Sequence, residues 1–211
     1  IFNNTALEGG AVFLNASSLS ATGTVFAENS VSSTESAAPS AGGAVAGINQ
    51  EEFFNLSFSG CTFEANRAEH SGGSVYLLGN FQTTLDDCRF FRNRANEGGA
   101  VFLEGSETQR SEQTSQHAEI NVLSSLFDGN GAQMGGAISL QPGMNGSITS
   151  SRFANNAAMD GGAVCLLNDA NLALEEVRLV RNSAERGGAV YLEADSAPRD
   201  RKSTRLNSSH T

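Results

Sequence analysis

Seven Gly-Gly pairs punctuate the chain, at Gly9 and Gly10, Gly42 and Gly43, Gly72 and Gly73, Gly98 and Gly99, Gly135 and Gly136, Gly161 and Gly162, and Gly187 and Gly188. Six continue alike, as GGAVFL, GGSVYL, GGAVFL, GGAISL, GGAVCL and GGAVYL, and the pair at Gly42 continues as GGAVAGI. Successive pairs stand 33, 30, 26, 37, 26 and 26 residues apart. The basic period is thus 26, lengthened by insertions in three units. Self-similarity at a period of this length is the mark of a solenoid, in which each unit buries its apolar face only against its neighbours.

A second signature precedes each pair. An asparagine lies five residues before the first glycine at Asn4, Asn93, Asn130, Asn156 and Asn182, six before at Asn66 and thirteen before at Asn29. Three residues before each asparagine stands a large apolar residue: Ile1, Phe26, Phe63, Phe90, Phe127, Phe153 or Leu179. Between the two signatures runs a short alternating stretch, as in Leu56-x-Phe58, Ile120-x-Val122 and Leu172-x-Leu174. Alternation bounded by Gly, Asn and Ser signals strands, and no segment carries a helical apolar period.

These units predict an all-β parallel β-helix of about seven rungs over residues 1–195. Three strands and three turns close one circuit, and equivalent residues of successive circuits pair about 4.8 Å apart. Val12 and Leu14 and their equivalents should face inward beside the phenylalanine column. The glycine pair supplies a turn with positive φ or a close backbone approach. The asparagines should form a stacked amide ladder at another turn, where Asn tolerates the left-handed conformation. Insertions at Ser30 to Ser40, Gln50 to Phe54 and Gly105 to His117 are expected as surface loops.

Residues 196–211 form a separate, non-repeat tail. Asp200 to His210 reads DRKSTRLNSSH, residue for residue the translation of a common sequencing-library adapter, and Lys202 within it is the sole lysine. The tail is therefore set aside as foreign. The chain starts inside a repeat, so a longer solenoid is expected, with any signal peptide outside this stretch. The net charge is −10, and the sequence shows no basic stripe of the kind that nucleic acid requires.

The ordered GGA[IV] and F-x-x-N tetrapeptides resemble the polymorphic outer membrane protein repeat of chlamydial surface proteins, over about residues 1 to 195. The resemblance implies a right-handed β-helix of the pectin-lyase-like class, exported and displayed at the cell surface or outer membrane as an adhesin-like passenger. Its partners would be host or neighbouring-cell surface proteins or glycans, with no membrane contact inside this stretch. In those bacterial proteins a C-terminal membrane barrel follows.

The chemistry-bearing residues are sparse. Cys61 and Cys88 share one column with Thr24, Ser125, Ser151 and Val177, where a half-buried column of small residues competes with a disulfide as the reading. Cys165 stands where other units carry Phe13, Tyr76, Phe102 and Tyr191. His70 and His117 have no metal-ligand spacing. Asp160 and Arg186 occupy one column on successive rungs and should pair; Arg67 and Arg94 should form a solvated ladder beside Glu69 and Glu97. Asp86 and Asp87 lie together without a second carboxylate set for hydrolysis. Sequons begin at Asn3, Asn15, Asn55 and Asn145. Neither catalytic nor metal or cofactor-binding residues are assigned. A surface adhesin or structural module is the leading expectation, and the scaffold portion of a polysaccharide-acting enzyme the alternative.

Overall fold

In the computed structural model the described residues are 1–32, 40–105, 118–168 and 170–193. The path of each circuit is set by three corners, each holding one residue with a left-handed backbone. The first glycine of every pair makes one corner, with φ between 56° at Gly9 and 69° at Gly42. A second corner falls at Gly23, Gly60, Asp87, Ser124, Ser150 and Glu176. The third falls at Asn3, Glu28, Ala65, Arg92, Gly129, Asn155 and Arg181. One such residue between extended neighbours turns the chain sharply while leaving both flanking strands in β geometry. The ladder asparagines are absent from this set, which corrects the expected left-handed assignment: the residue just before each asparagine turns the corner, freeing the asparagine to point inward.

Strands between the corners pair in parallel throughout. The GGAVxL strands join in register, Val12 to Val45 to Val75 to Val101 to Ile138 to Val164 to Val190. The strands at the F-x-x-N signature form a six-stranded sheet in the order Arg178–Val180, Arg152–Ala154, Leu126–Asp128, Arg89–Phe91, Thr62–Glu64, Val25–Ala27. The alternating stretches pair likewise, Leu56 to Thr83, Leu85 to Val122 to Ile148 to Leu174. Two units, Val45–Ser59 and Val75–Asp86, run through without a break and merge the first and third sets into one eleven-stranded sheet. The chain is a parallel β-solenoid without helices among its described residues.

Two of the expected loops come out differently. Gln50 to Phe54 lies inside the strand Val45–Ser59, where the register passes from Asn49↔Gly79 to Phe54↔Phe81 and the extra residues form a bulge. Gly79 faces it with φ 111°, and a Cβ there would sit 1.3 Å from the Asn49 carbonyl oxygen. A bulge absorbs surplus residues without leaving the sheet. Ser30–Val31 at the start of the first insertion pairs with Thr5–Ala6. Residues 33–39 and 106–117, including His117, and the tail from 194 onward lie outside the described residues.

The core is a set of columns rather than a globule. Phe26, Phe63, Phe90, Phe127 and Phe153 are at most 1% exposed. Their rings stack with centroids 4.9, 4.6, 4.5 and 4.5 Å apart and planes within 5° of parallel. In-register pairing forces this near-sandwich geometry, though isolated rings prefer offset or edge contacts. Phe58 supplies such an edge to Phe26 and Phe63. Full burial of a ring of this size contributes about 2–3 kcal/mol.

Candidate binding groove at the asparagine corner

The asparagine ladder fixes the third corner. Each side-chain oxygen accepts twice from the preceding rung, and each amide nitrogen donates to a carbonyl and to the next asparagine. For Asn93, Nδ2 donates to Phe63 O and Asn130 Oδ1, both at 3.0 Å. Its Oδ1 accepts from Asn66 N at 2.9 Å and Asn66 Nδ2 at 3.2 Å. The pattern runs from Asn4 through Asn29, Asn66, Asn93, Asn130 and Asn156 to Asn182. Asn29, Asn66, Asn93, Asn130 and Asn156 are at most 1% exposed. A primary amide carries two donors and an acceptor with two lone pairs, so here it meets its full demand in a dry interior.

Beside it, the paired glycines serve by what they lack. A Cβ on Gly99 would lie 2.2 Å from Gly136 O and 2.7 Å from Gly131 N. The corner thus closes tightly against the next rung and brings the residue before each pair alongside the GGAVxL strand. Asp160 and Arg186 occupy that place. Arg186 Nε and Nη2 donate to Asp160 Oδ1 and Oδ2, each at 2.6 Å, in a bidentate pair. The guanidinium also lies 4.9 Å from the Tyr191 ring centroid, and the hydrogen bonds to Asp160 raise its pKa.

The outward column of that strand is more buried than its alternation implies. Tyr76, Phe102, Ser139 and Cys165 are 6%, 3%, 0% and 0% exposed. Longer neighbours arch over it, as Gln141 Nε2 donates to Glu97 Oε2 at 3.3 Å. Burial pushes the Tyr76 hydroxyl up to about 12, helped by Glu104, Glu8 and Glu97. Burial likewise pushes the Cys165 thiol up to about 12 and raises the Glu97 carboxyl, with Glu104 adding to the latter. Ser139 Oγ has no hydrogen-bond partner there.

Cys61 and Cys88 are free thiols in the column of small residues. Cys88 Sγ donates to Phe58 O and Asp86 O at 3.3 Å, and Cys61 Sγ to Ala21 O at 3.4 Å. The hydroxyls of Ser125, Ser151 and Thr24 donate to strand carbonyls in the same way. Burial raises the Cys88 thiol to about 11, so neither geometry nor acidity equips it as a nucleophile. Asp86 and Asp87 are exposed, with Asp87 at a corner. His70 is exposed. Among the described residues no three His, Cys, Asp or Glu side chains converge on a metal site. No helix among them is long and apolar enough to cross a membrane.

The open concavity lies outside the asparagine ladder. The two residues after each asparagine form adjoining columns: Ser30, Arg67, Arg94, Gly131, Ala157 and Ser183, joined by successive parallel bridges, and Val31, Ala68, Ala95, Ala132, Ala158 and Ala184. The small second column is a floor. One depression of about 580 Å³ is lined by Ser30, Ser32, Arg67, Glu69, Arg94 and Asn96 over Val31, Ala68 and Ala95. Another of about 490 Å³ continues it over Ala132 and Ala158 between Arg94, Gly131, Ala157 and Gln133, Met159. Both include Arg94 and Ala95, so they form one axial groove.

Arg67 and Arg94 project on successive rungs of this groove and are exposed. They stack in one exposed column as expected, with Glu69 lining the same depression. Glu97 turns to Gln141, while Arg94 Nη1 donates to the Asn93 carbonyl at 3.2 Å and to Gly129 O at 2.5 Å. Among the described residues, Glu64 pairs with Arg92 and Asp160 with Arg186. Sequence reasoning passed over Ser30, Ser32, Asn96 and Gln133 because the groove appears only once the corner columns are aligned.

Comparison with family models, with curated proteins and with solved structures found no match for this chain.

Proposed function

We propose that this chain is a passenger-type module of an extracellular or cell-surface protein, a rigid β-solenoid that presents its corners and insertions to a partner. The supporting observation is the division of labour within each rung. Frame residues repeat: the ladder asparagine, the stacked phenylalanine and the glycine pair. The solvent-facing side chain just after the asparagine changes from Arg67 and Arg94 to Gly131, Ala157 and Ser183 along an open groove. A constant frame with changing exposed positions suits recognition of an extended partner, as solenoid surfaces do. The resemblance to the polymorphic outer membrane protein repeat points the same way.

Binding of the purified chain to cells or to immobilised surface glycans, lost on shortening the insertions at 33–39 and 106–117, is the outcome this reading predicts. A polysaccharide-cleaving activity in the same preparation would replace it with the enzyme reading.

A further inference from the structure

Glycine follows asparagine at two steps of the chain, Asn130-Gly131 and Asn145-Gly146. Such a step is chemically labile, because a residue without a Cβ leaves its amide nitrogen open to reach the asparagine side-chain carbon. The fold places the two steps in opposite surroundings. Asn130 belongs to the ladder and is 1% exposed. Its Nδ2 donates to Phe90 O and Asn156 Oδ1, both at 3.0 Å, and its Oδ1 accepts from Asn93 N and Asn93 Nδ2. Gly131 N is tied to Asn93 O at 3.0 Å. Leaving group, electrophile and nucleophile are all held there, away from water.

Asn145 lacks this protection. It is half-buried and opens the strand Asn145–Thr149, directly after the turn in which Met144 N donates to Gln141 O. Its Oδ1 accepts from the exposed Asn171 Nδ2 at 3.1 Å, a contact that draws electron density from the side-chain carbon. Among the described residues its own Nδ2 donates to no acceptor, so the leaving group is untied. Gly146 is fixed by packing: it lies in the inward column between Ile120 and Leu172, and a Cβ there would meet Ile120 Cγ2 and Leu172 Cδ1 at 3.0 Å each. The core therefore demands the residue that makes the step labile. Gly146 also sits in the parallel ladder, so its nitrogen attacks only on local opening, and the first residues of a strand open at the lowest cost.

We infer that Asn145 is a site of spontaneous deamidation. Gly146 N gives up its proton and bonds to Asn145 Cγ; the Cγ–Nδ2 bond breaks, and the nitrogen leaves as ammonia with that proton. Water then opens the cyclic imide at either carbonyl, giving aspartate or isoaspartate, and no other reactant takes part. Either product sets a negative charge opposite Glu119, which pairs in register with Asn145, and like charges opposite each other weaken a sheet. Isoaspartate also lengthens the main chain by a methylene and breaks the pairing of Asn145 with Asn171. The sheet of alternating stretches thus carries a slow, one-way covalent change at this rung, independent of any binding role.

The test is peptide-mapping mass spectrometry of the full chain, aged in mildly alkaline buffer with and without denaturing urea. The chain is made in a bacterial host, so that the Asn145-Gly146-Ser147 sequon stays bare. Isoaspartyl methyltransferase with labelled S-adenosylmethionine marks the isoaspartate formed. In the folded chain Asn145 should deamidate at least about tenfold faster than Asn130. In urea the two steps should run at comparable rates, because only the fold separates them. Asn145→Gln should abolish most of the methylation of the folded chain. Asn145→Asp should lower the urea midpoint, and adding Glu119→Gln should restore it. An Asn145 as slow as Asn130 in the folded chain, a rate gap that persists in urea, or methylation undiminished in Asn145→Gln overturns the proposal. A midpoint unchanged in Asn145→Asp overturns its consequence for the sheet.

Discussion

Replacing Asn93 by alanine removes four side-chain hydrogen bonds from a position 0% exposed. Two groups retain partners: Asn66 Nδ2 still reaches Phe26 O, and Asn130 Oδ1 still accepts from Asn93 N. Asn66 N–H loses its acceptor, and the Phe63 carbonyl loses a donor. A buried polar group left without a partner costs about 1–3 kcal/mol. With a small void added, Asn93→Ala should lose about 3 kcal/mol, a large share of the 5–15 kcal/mol typical of a folded domain. Asn182→Ala removes comparable bonds where the side chain is half-buried and water can substitute, so about 1 kcal/mol is expected. Asn93→Asp keeps the acceptors for Asn66 but sets a carboxylate against the Phe63 carbonyl and Asn130 Oδ1. Those neighbours raise its folded pKa above the unfolded value, so its stability is greatest below that value and falls as pH rises. It should therefore lose more than Asn93→Ala at pH 7 and recover towards pH 4. Urea unfolding followed by circular dichroism reads all three variants. Equal costs for Asn93→Ala and Asn182→Ala would mean that the central amide is no drier than the terminal one, contrary to its burial.

Three further outcomes follow from the same frame. Gly99→Ala forces a Cβ onto the Gly136 carbonyl and should lower the unfolding free energy by at least about 2 kcal/mol, whereas Gly131→Ala meets only the Arg94 side chain and should be tolerated; thermal melts distinguish them. Ser124→Gly, at a left-handed corner with φ 47° where other rungs carry Gly23 and Gly60, should stabilise by about 0.5–1 kcal/mol, read as a raised urea midpoint. Stability should fall between pH 10 and about 12: the unfolded state releases the Tyr76 proton first, the folded state holds it, and the advantage of burial is lost as pH rises. Tyr76→Phe should flatten that part of the pH profile, and an unchanged slope would contradict the assignment.

The period, the strand types and the register were legible because in-register stacking repeats the same demand on every rung. Phenylalanine recurs where rings stack, and asparagine where two donors and two accepting lone pairs must be met. The glycine pair was legible in both of its roles, positive φ at Gly98 and close approach at Gly99. The other two corners were hidden, since Ala65, Arg92, Ser124 and Glu176 adopt left-handed backbones without a residue type that announces it. Tertiary pairing overrides their local preference. The bulge opposite Gly79 was read as a loop because surplus residues look the same in sequence whether they leave the sheet or ripple within it. The groove was illegible for a further reason: its walls come from residues about one period apart, and Arg94 prefers carbonyls to the nearby carboxylates that charge alone would have chosen.

The in-register stack is held by the amide ladder, and contacts between side-chain amides of successive rungs report on it without an intermediary. In a nitrogen-edited NOE spectrum of the labelled chain, the Asn66, Asn93, Asn130 and Asn156 side-chain amides should exchange slowly. The Asn66 side-chain amide should show a cross-peak to Asn93, Asn93 to Asn130, and Asn130 to Asn156, across sequence separations of 27, 37 and 26 residues. Rapidly exchanging amides without those contacts, or contacts displaced by one residue, would contradict the register on which the frame and the groove depend.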